Sequence, residues 1–263
     1  MPQETAVQIM RKRIALVTGA SSGLGREFAL QIDKLPEIDE IWLVARREER
    51  QIELSARLTK PARIFALDLA NEESLAVIEE ELEAQNPIMR LLVNNAGMGS
   101  PGPFEKTDIS YNDQLLKLNV LALVRLTHIS LPYCEAGSRI LQISSVAAFI
   151  PQPNFSVYSA SKAFVMYFSR SLHQELKPRK ITVTSVCPNP METEFFKHKE
   201  NTRLIDRLKS KGTEKIEKVA AQALHRSARG KDMSVSCFSA RLIRILAKIL
   251  PQHLIIKIIG RMG

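Results

Sequence analysis

The sequence RIALVTGASSGLG at residues 13–25 indicates the fold more clearly than any other part of the chain. Its first half is a short apolar run typical of a buried strand, and three glycines follow at once, before an amphipathic segment. Glycines placed there permit a tight turn and let an anion approach the free N–H groups where a helix begins. A bare glycine pattern would be weak evidence, but this position between strand and helix predicts a dinucleotide-binding turn. The predicted contacts of the turn are Gly19, Ser21, Ser22, Gly23, Leu24 and Gly25.

Five further short runs have the apolar, β-branched character of buried strands, and helical sequence separates each from the next. They are EIWLVA, RIFAL, RLLVNNAG, RILQISS and ITVTSVCPNP. This strict alternation predicts an α/β fold with a single doubly wound parallel sheet and helices on both faces. The chain shows no repeat, low-complexity linker or domain boundary. We therefore expect residues 1–263 to form one dinucleotide-binding catalytic domain.

The composition is that of an ordinary globular protein, with 45% hydrophobic and 25% charged residues. The formal net charge of +9 favours anionic partners, which include phosphorylated cofactors, nucleic acids and acidic membrane surfaces. No helix-turn-helix motif or aromatic–basic platform accompanies this charge, so we expect no nucleic-acid partner.

Three cysteines, Cys134, Cys187 and Cys237, lie far apart and form no CxxC motif or Cys/His cluster. The pattern argues against a disulfide framework and a structural zinc site, and it favours a reducing compartment. We expect no bound metal. The first residues lack the features of a signal peptide, and no uninterrupted apolar run is long enough to span a bilayer. The predicted location is therefore cytoplasmic.

The end of the second predicted strand indicates which dinucleotide fits. NAD sites usually carry an acidic residue there for the ribose 2′-hydroxyl, whereas NADP sites use an arginine for the 2′-phosphate. Here the strand runs into Arg46 and Arg47, and the first acid is Glu48. We predict NADP(H) as the cofactor, with Arg46 as the ligand of the 2′-phosphate. The alternative is that the two arginines only begin a solvated helix, which would suit Arg47.

Tyr158 and Lys162 stand four residues apart on a predicted helix, shortly after the pair Ser144-Ser145. Side chains four residues apart lie on one helix face. The pair could be an accident of the surface or an acid–base device, because a nearby cation favours phenolate and lowers the pKa of a phenol. An unperturbed phenol has a pKa of about 10 and is a poor base near neutrality. In isolation, two ordinary residues of a helix surface are the better interpretation. Together with Ser145 and the nucleotide-binding motifs, the pair predicts the acid–base device, in which Lys162 and the positive charge of an oxidised nicotinamide lower the pKa of Tyr158.

Six motifs, taken in order and spacing, resemble the short-chain dehydrogenases/reductases, a family with a Rossmann-type fold. They are TGASSGLG at 18–25, DL at 68–69, NNAG at 94–97, Asn119 in KLNV, ISS at 143–145 and YSASK at 158–162. The resemblance covers about residues 13–193. It implies hydride transfer between a nicotinamide cofactor and a substrate carbon, with the protein supplying orientation and a proton.

The resemblance implies a catalytic tetrad of Asn119, Ser145, Tyr158 and Lys162. Tyr158 would exchange a proton with the substrate oxygen, and Ser145 would hydrogen-bond that oxygen as charge develops on it. Asn119 would hold a water that relays protons from Lys162 outward. Ser144 would point the other way from Ser145 on an extended segment.

Further cofactor contacts are implied by the same resemblance. They are Asp68 and Leu69 beside the adenine, Asn95 beside the ribose, Tyr158, Lys162, and Pro188 and Thr193 around the nicotinamide. One position departs from the family: Asn189 stands where glycine usually follows the proline. We expect the turn to survive, because asparagine tolerates a left-handed backbone better than most residues.

Substrate specificity in this family depends mostly on the segment after the threonine and on the C-terminus. Residues 190–215 are polar and strongly basic, and we predict a substrate lid there. The residues expected around the substrate mouth are Met98, Phe149, Pro151, Phe155 and Met191. Their apolar character indicates an apolar alcohol or ketone.

The C-terminal tail, residues 233–263, contains five lysines and arginines after Lys231 and no Asp or Glu. Its apolar residues Leu242, Ile245, Leu246 and Ile249 form one helical stripe, with Arg241, Arg244 and Lys248 mostly on the other side. A basic amphipathic helix can lie on an anionic membrane. We expect this helical tail instead to pack on the protein or on another subunit, because amphipathic helices usually face a core.

The sequence as a whole predicts an NADP(H)-dependent oxidoreductase that interconverts a secondary alcohol and a ketone. The expected substrate is apolar, such as a hydroxysteroid, and the expected assembly is a homo-oligomer, either dimer or tetramer. One alternative is a 3-oxoacyl-thioester reductase. Another is a non-catalytic NADP(H)-binding regulator of the same fold, against which the intact tetrad argues, since a sensor needs no catalytic residues.

Overall fold

Seven parallel strands form one sheet in the computed structural model, which describes residues 11–99, 101–191, 213–251 and 255–256. The strand order is β3-β2-β1-β4-β5-β6-β7. The strands are β1 (Arg13–Thr18), β2 (Glu40–Ala45), β3 (Ala62–Ala66), β4 (Ile88–Asn94), β5 (Arg139–Ile143), β6 (Thr182–Val186) and β7 (Met233–Ser234). The predicted doubly wound parallel sheet is confirmed. The seventh strand was not expected: two residues of the tail pair with the edge of β6.

The helices lie between the strands, as the alternation predicts. They are α1 (Gly23–Ile32), α2 (Glu48–Ser55), α3 (Glu72–Gln85), α4 (Ile109–Leu116), a π-helical segment (Lys117–Ala122), α5 (Leu123–Ser130), α6 (Ser156–Leu176), α7 (Ile216–Ala228) and α8 (Phe238–Ile249). Helix α6 ends where Pro178 follows, and a short 3-10 turn continues from it.

Two apolar layers enclose the sheet, one on each face. Because β1, β2, β4 and β5 are covered on both faces, their sequences are nearly continuous apolar runs instead of alternating ones. Helices α1 and α7 cover one face, with Phe28 and Ala223 fully buried. Helices α3, α5 and α6 cover the other, with Ile78 fully buried and Leu126 nearly so.

The strand order reverses between β1 and β4, which are neighbours in space but not in sequence. The chain leaves these two strands in opposite directions, and a crevice opens outside their carboxyl ends. The glycine-rich turn follows β1, and Asn95 follows β4. The fold therefore brings the separate sequence motifs to one edge of the sheet.

Among the described residues, one helical stretch, Ile109–Tyr133, is long and apolar enough by composition to cross a membrane. Core helices of globular domains meet the same criterion. In this chain Leu115, Leu123 and Leu126 are buried against the protein. The stretch is only partly buried, since Ile109, Leu116 and Leu121 are exposed.

The predicted tail helix is present, but its apolar face points away from the protein. Helix α8 holds Ala240 in the interior, while Leu242, Ile245 and Ile249 are exposed. From the sequence we expect the tail to pack on the protein or on another subunit. The apolar stripe does not pack on the described residues of its own chain, and packing on another subunit remains a prediction. The opposite side of α8, which carries small and basic side chains, makes the contacts with the rest of the protein, and the apolar stripe therefore faces outward.

Candidate active site

A cleft of about 390 Å³ opens at the carboxyl ends of the central strands. It brings together most of the site residues that the sequence predicts. Those that line it are Gly19, Ser21, Ser22, Gly23, Leu24, Arg46, Asn95, Ser145, Tyr158, Lys162 and Pro188. The cleft thus joins the glycine-rich turn at one end to the tyrosine and lysine at the other.

The glycine-rich turn is shaped by two glycines that cannot be replaced freely. Gly19 has a φ of 66°, in the left-handed region that favours glycine. Gly25 has no such φ, but a Cβ there would collide with the Gly19 carbonyl and lie 2.5 Å from Asn95 Nδ2. Helix α1 begins beside the cleft at Gly23, and no side chain caps its first N–H groups. An uncapped helix N-terminus behind such a cradle fits the pyrophosphate of a dinucleotide.

The two arginines after β2 both line the cleft. Arg46 Nη1 lies 3.8 Å from Asp68 Oδ2, and the Arg46 side chain is 76% exposed. Arg47 Nη2 donates hydrogen bonds of 3.1 and 3.0 Å to the hydroxyls of Ser21 and Ser22. The Arg47 side chain is therefore bound to the glycine-rich turn, so Arg47 does more than begin a solvated helix. These bonds of Arg47 are not predicted from the sequence, although the place of Arg47 shortly after β2 is a signal for them.

The residues predicted to contact the adenine and the ribose are held in place by other residues of the protein. Asp68 Oδ1 accepts a hydrogen bond from the backbone N–H of Ala70, and the Leu69 side chain is buried in the core. Neither residue lines the cleft directly, so their contact with adenine stays a prediction. Asn95 lines the cleft, and its Nδ2 donates a 2.9 Å hydrogen bond to the Thr18 carbonyl. Asn95 therefore ties the end of β4 to the end of β1.

Tyr158 stands in the first turn of α6, where its ring stacks on Phe155 with 4.3 Å between centroids. Ser145 caps a short 3-10 turn after β5, and its hydroxyl accepts from the Ala147 N–H at 3.1 Å. A hydrogen bond also joins the side chains of Ser145 and Tyr158. Ser144 points the opposite way, as predicted, and donates to the Lys162 carbonyl at 2.7 Å. The serine, tyrosine and lysine of the predicted tetrad thus meet at one end of the cleft.

In the protein without ligand the pKa of Tyr158 is raised, and its lowering by Lys162 together with an oxidised nicotinamide remains a prediction. Burial raises the pKa of Tyr158 to about 12, and the hydrogen bond with Ser145 opposes this only in part. Burial also lowers the pKa of Lys162 to about 8. In both groups the charged form loses hydration in the enclosed site, and this loss is the largest cause of each shift. Tyr158 is therefore a protonated phenol at neutral pH.

Lys162 is 4% exposed, and backbone groups fix its position. Its Nζ donates a 2.9 Å hydrogen bond to the Ile143 carbonyl at the end of β5. A Cβ at Gly97 would lie 3.0 Å from Asn119 Oδ1 and 3.4 Å from Lys162 Nζ. Gly97 therefore leaves the space in which the lysine and the asparagine approach each other.

Asn119 belongs to the π-helical segment, which the sequence analysis did not foresee. Such segments are rare and occur frequently at functional sites. The Asn119 amide bonds both backbone groups of Met98, at 2.8 and 2.9 Å, and donates to Ser161 Oγ at 3.2 Å. Both amide hydrogens are therefore used by the protein. The relay water that the family resemblance implies would therefore have to donate a hydrogen bond to Asn119 Oδ1, which already accepts one from the Met98 N–H.

Asn189 keeps the turn after β6 by a different means from the one expected. It is not among the described residues with a left-handed backbone. Its N–H donates to Glu214 at 3.0 Å, and its Nδ2 donates to Cys237 Sγ at 2.9 Å and to Ser239 Oγ at 3.3 Å. The side chain that replaces the family's glycine thus links the cleft to the beginning of α8.

The predicted substrate mouth divides between two cavities. Phe155 and Met191 line the cleft, and Met98 packs beside Tyr158. Phe149 and Pro151 line a second cavity of about 480 Å³, which shares Ala147 and Gln152 with the cleft, and their placement at the mouth remains a prediction. The loop after β5 separates the two cavities. Thr193 and most of the predicted lid, residues 192–212, lie outside the described residues.

Metal binding has no support in the part of the chain that the structure describes. No group of three or more His, Cys, Asp or Glu side chains is arranged there to hold an ion. Cys134 and Cys187 are buried, and Cys237 caps α8.

The fold and this arrangement define a member of the short-chain dehydrogenase family. The family model described as short chain dehydrogenase matches residues 13–204, and the chain belongs to that family. The family binds a nicotinamide cofactor, and the turn described above fits one. This confirms the resemblance that the six motifs indicate.

Several relatives show how widely the chain's similarity extends. Sulfoacetaldehyde reductase 2 from Chromohalobacter salexigens is 37% identical over 69% of this chain and 74% of its own length. A very-long-chain 3-oxoacyl-CoA reductase from Bos taurus is 31% identical over 72% of this chain, a match that spans only 62% of the bovine protein. A short-chain dehydrogenase from Sphingobium yanoikuyae, solved in complex with NADPH, has a TM-score of 0.76 and 28% identity. That match covers 92% of this chain and 94% of the other.

Proposed function

We propose that this protein is an NADP(H)-dependent oxidoreductase that interconverts a secondary alcohol and a ketone on an apolar substrate. The observation that carries the proposal is the position of the buried Tyr158 and Lys162 beside the half-buried Ser145 at the end of the dinucleotide cleft. A non-catalytic regulator would not need a phenol, an ammonium and a hydroxyl enclosed together at that point.

Tyr158 is the proton donor in the reducing direction. When bound, the reduced cofactor supplies a hydride to the carbonyl carbon, and the oxygen then needs a proton. The high pKa of Tyr158 keeps the proton on the phenol until charge develops on that oxygen. The Ser145 hydroxyl, hydrogen-bonded to Tyr158, stabilises the developing charge and positions the substrate oxygen.

Lys162 restores the charge balance after Tyr158 has given up its proton. Its ammonium lies 5.7 Å from the centroid of the Tyr158 ring, and in an enclosed site it favours the phenolate that forms. The hydrogen bond to the Ile143 carbonyl keeps Lys162 from swinging out of the cleft. Asn119 Oδ1 accepts a hydrogen bond from the Met98 N–H, which holds the backbone after β4 in place near the site.

NADP(H) is favoured over NAD(H) by charge at the end of β2. Both Arg46 and Arg47 line the cleft, and the carboxylate that would bind a ribose 2′-hydroxyl is absent from the first two positions after the strand. We assign the 2′-phosphate to Arg46, as the sequence indicates, with Arg47 closing the other side. The Sphingobium structure with NADPH supports this preference.

An apolar ketone fits the described substrate end of the cleft, which includes Phe155, Pro190 and Met191. A hydroxysteroid or its ketone is the first candidate, because these walls offer apolar contact to a bulky ring system. A 3-oxoacyl thioester is the second, and the similarity to the bovine 3-oxoacyl-CoA reductase favours it.

The proposal is tested by following nicotinamide absorbance with NADPH, and separately with NADH, against a ketosteroid and a 3-oxoacyl thioester. We expect turnover of one ketone, faster with NADPH than with NADH. Turnover with NADH alone would overturn the cofactor assignment. Binding of NADPH without turnover of either ketone, or of simple aldehydes, would favour the regulator.

A further inference from the structure

Helix α8 presents an apolar face to the outside of the protein. Its large apolar side chains recur three or four residues apart and so share one face of the helix. Their exposed fractions are 79% for Phe238, 46% for Leu242, 53% for Ile245, 41% for Leu246 and 72% for Ile249. A surface helix normally turns such a face toward a core. Here the part of the chain that the structure describes does not cover it.

The orientation of α8 is fixed by contacts on its opposite side. Ala240 is fully buried, and Arg244 and Ala247 form part of the wall of the second cavity. Arg241 Nε donates a 3.1 Å hydrogen bond to the Val235 carbonyl. Turning the apolar face inward would break these contacts and bring bulky side chains against the position of Ala240. The outward apolar face is therefore a consequence of the packing.

The charge around this face selects the partner. Arg241 and Lys248 are exposed along one border of the apolar face, about 80–100° from its centre on a regular helix. The sequence from Met233 to Gly263 contains no acid and adds Lys257 and Arg261 beyond the helix. Two copies pairing along this face would bring cations together without acidic partners. A bilayer surface with anionic lipids supplies both the apolar layer and the opposite charge.

We propose that α8 is a membrane-docking helix, which rests the face formed by Phe238, Leu242, Ile245, Leu246 and Ile249 on an anionic bilayer surface. The helix would lie in the plane of the interface and not cross it. This proposal takes the place of the packing on the protein or on another subunit that we predict from the sequence for the tail.

The docking helix is attached to the active site. Asn189 lines the cleft, and its side chain bonds Cys237 and Ser239 where α8 begins. A docked helix would therefore hold the cleft close to the bilayer, where an apolar substrate is concentrated. This last consequence rests on the proposed function, whereas the docking itself does not.

The test is co-sedimentation of the full chain with phosphatidylcholine vesicles and with vesicles that also contain phosphatidylglycerol. We expect binding to the second kind, release at high salt and little binding to the first. The variant Leu242→Ser/Ile245→Ser/Ile249→Ser should weaken binding about tenfold or more. Because these side chains are exposed, it should keep its fold. A control variant, Ile52→Ser/Ile109→Ser, removes two apolar side chains of similar exposure elsewhere and should bind as the original chain does.

Three results would overturn the proposal. The first is that the α8 variant binds the vesicles as strongly as the original chain, and the second is that the original chain binds neither kind of vesicle. The third is that the original chain and the control variant form an oligomer whereas the α8 variant does not. The last would assign the face to a second copy. NADPH binding and turnover in vesicle-free solution are measured on the same variants, so that a failure of the proposed reaction is seen separately.

Discussion

The ammonium nitrogen of Lys162 lies 5.7 Å from the centroid of the Tyr158 ring, one helical turn along α6, and is hydrogen-bonded to the end of β5. Burial moves the pKa values of the two groups in opposite directions, to about 8 for Lys162 and about 12 for Tyr158. The free protein therefore holds a neutral phenol beside a lysine that loses its proton at about pH 8.

This relationship predicts the pH dependence of ketone reduction. Above pH 8 Lys162 loses its proton, and the phenolate formed at Tyr158 loses its stabilising charge. We expect kcat/KM to fall about tenfold per pH unit above roughly pH 8, since one group titrates. Tyr158 itself contributes no fall until far higher pH. A kcat/KM that stays level up to pH 10 would show that the charge of Lys162 is not needed.

Stability should depend on pH through the same lysine. Between the folded pKa of about 8 and the ordinary value of 10.5, the unfolded chain holds a proton on Lys162 that the folded chain has released. The free energy of unfolding contributed by this group therefore rises with pH in that window. We expect the difference in unfolding free energy between the original chain and Lys162→Met to rise from pH 8 to pH 10 in urea titrations. A constant difference would contradict the lowered pKa.

Gly25 is expected to tolerate no side chain. In Gly25→Ala the new Cβ would meet the Gly19 carbonyl and the Asn95 amide, so the turn must open. We expect a loss of thermal stability and at least a tenfold loss of NADPH affinity, in line with overpacking of a rigid site.

The matched control is Gly230→Ala, where nothing lies within 4 Å of the new Cβ but φ is 66°. It should cost about 1–2 kcal/mol through backbone strain alone and leave NADPH affinity unchanged. Equal effects of the two substitutions on affinity would show that the close approach at Gly25 does not shape the site.

The arginines after β2 should set the cofactor preference. Arg46→Ala and Arg47→Ala are each expected to raise the KM for NADPH about tenfold or more, because a charged hydrogen bond to the 2′-phosphate is lost. The KM for NADH should change less. Arg57→Ala, an exposed change beyond the end of α2, serves as the control. A preference for NADPH that survives both substitutions would place the 2′-phosphate elsewhere.

The sequence predicts the fold because the fold depends on patterns that are local in the chain, whereas the tetrad of Asn119, Ser145, Tyr158 and Lys162 is implied by the family resemblance. Apolar runs of strand length, glycines at a strand end, and a tyrosine and lysine one turn apart each carry their own physical signal. The first six strands are confirmed on that basis. Ser145, Tyr158 and Lys162 line one cleft, and their catalytic roles remain a prediction.

What the sequence does not predict depends on contacts between distant segments. The bonds from Arg47 to the serines of the turn, and from Asn189 to α8, join residues that no short pattern relates. The pKa of Tyr158 depends on burial, which the spacing to Lys162 does not report. The direction of the apolar face of α8 follows from what packs behind it. The cytoplasmic location and the homo-oligomer remain predictions.

The central claim is that Tyr158 is the proton donor of a working oxidoreductase. It is tested most directly by measuring NADPH oxidation with a ketone, and NADPH binding by nicotinamide fluorescence, in Tyr158→Phe. Tyr167→Phe, which is 68% exposed on the same helix, is the control. We predict a loss of turnover of about a hundredfold or more in Tyr158→Phe, with NADPH affinity unchanged and the control fully active. Turnover that persists in Tyr158→Phe at the original rate would contradict the account.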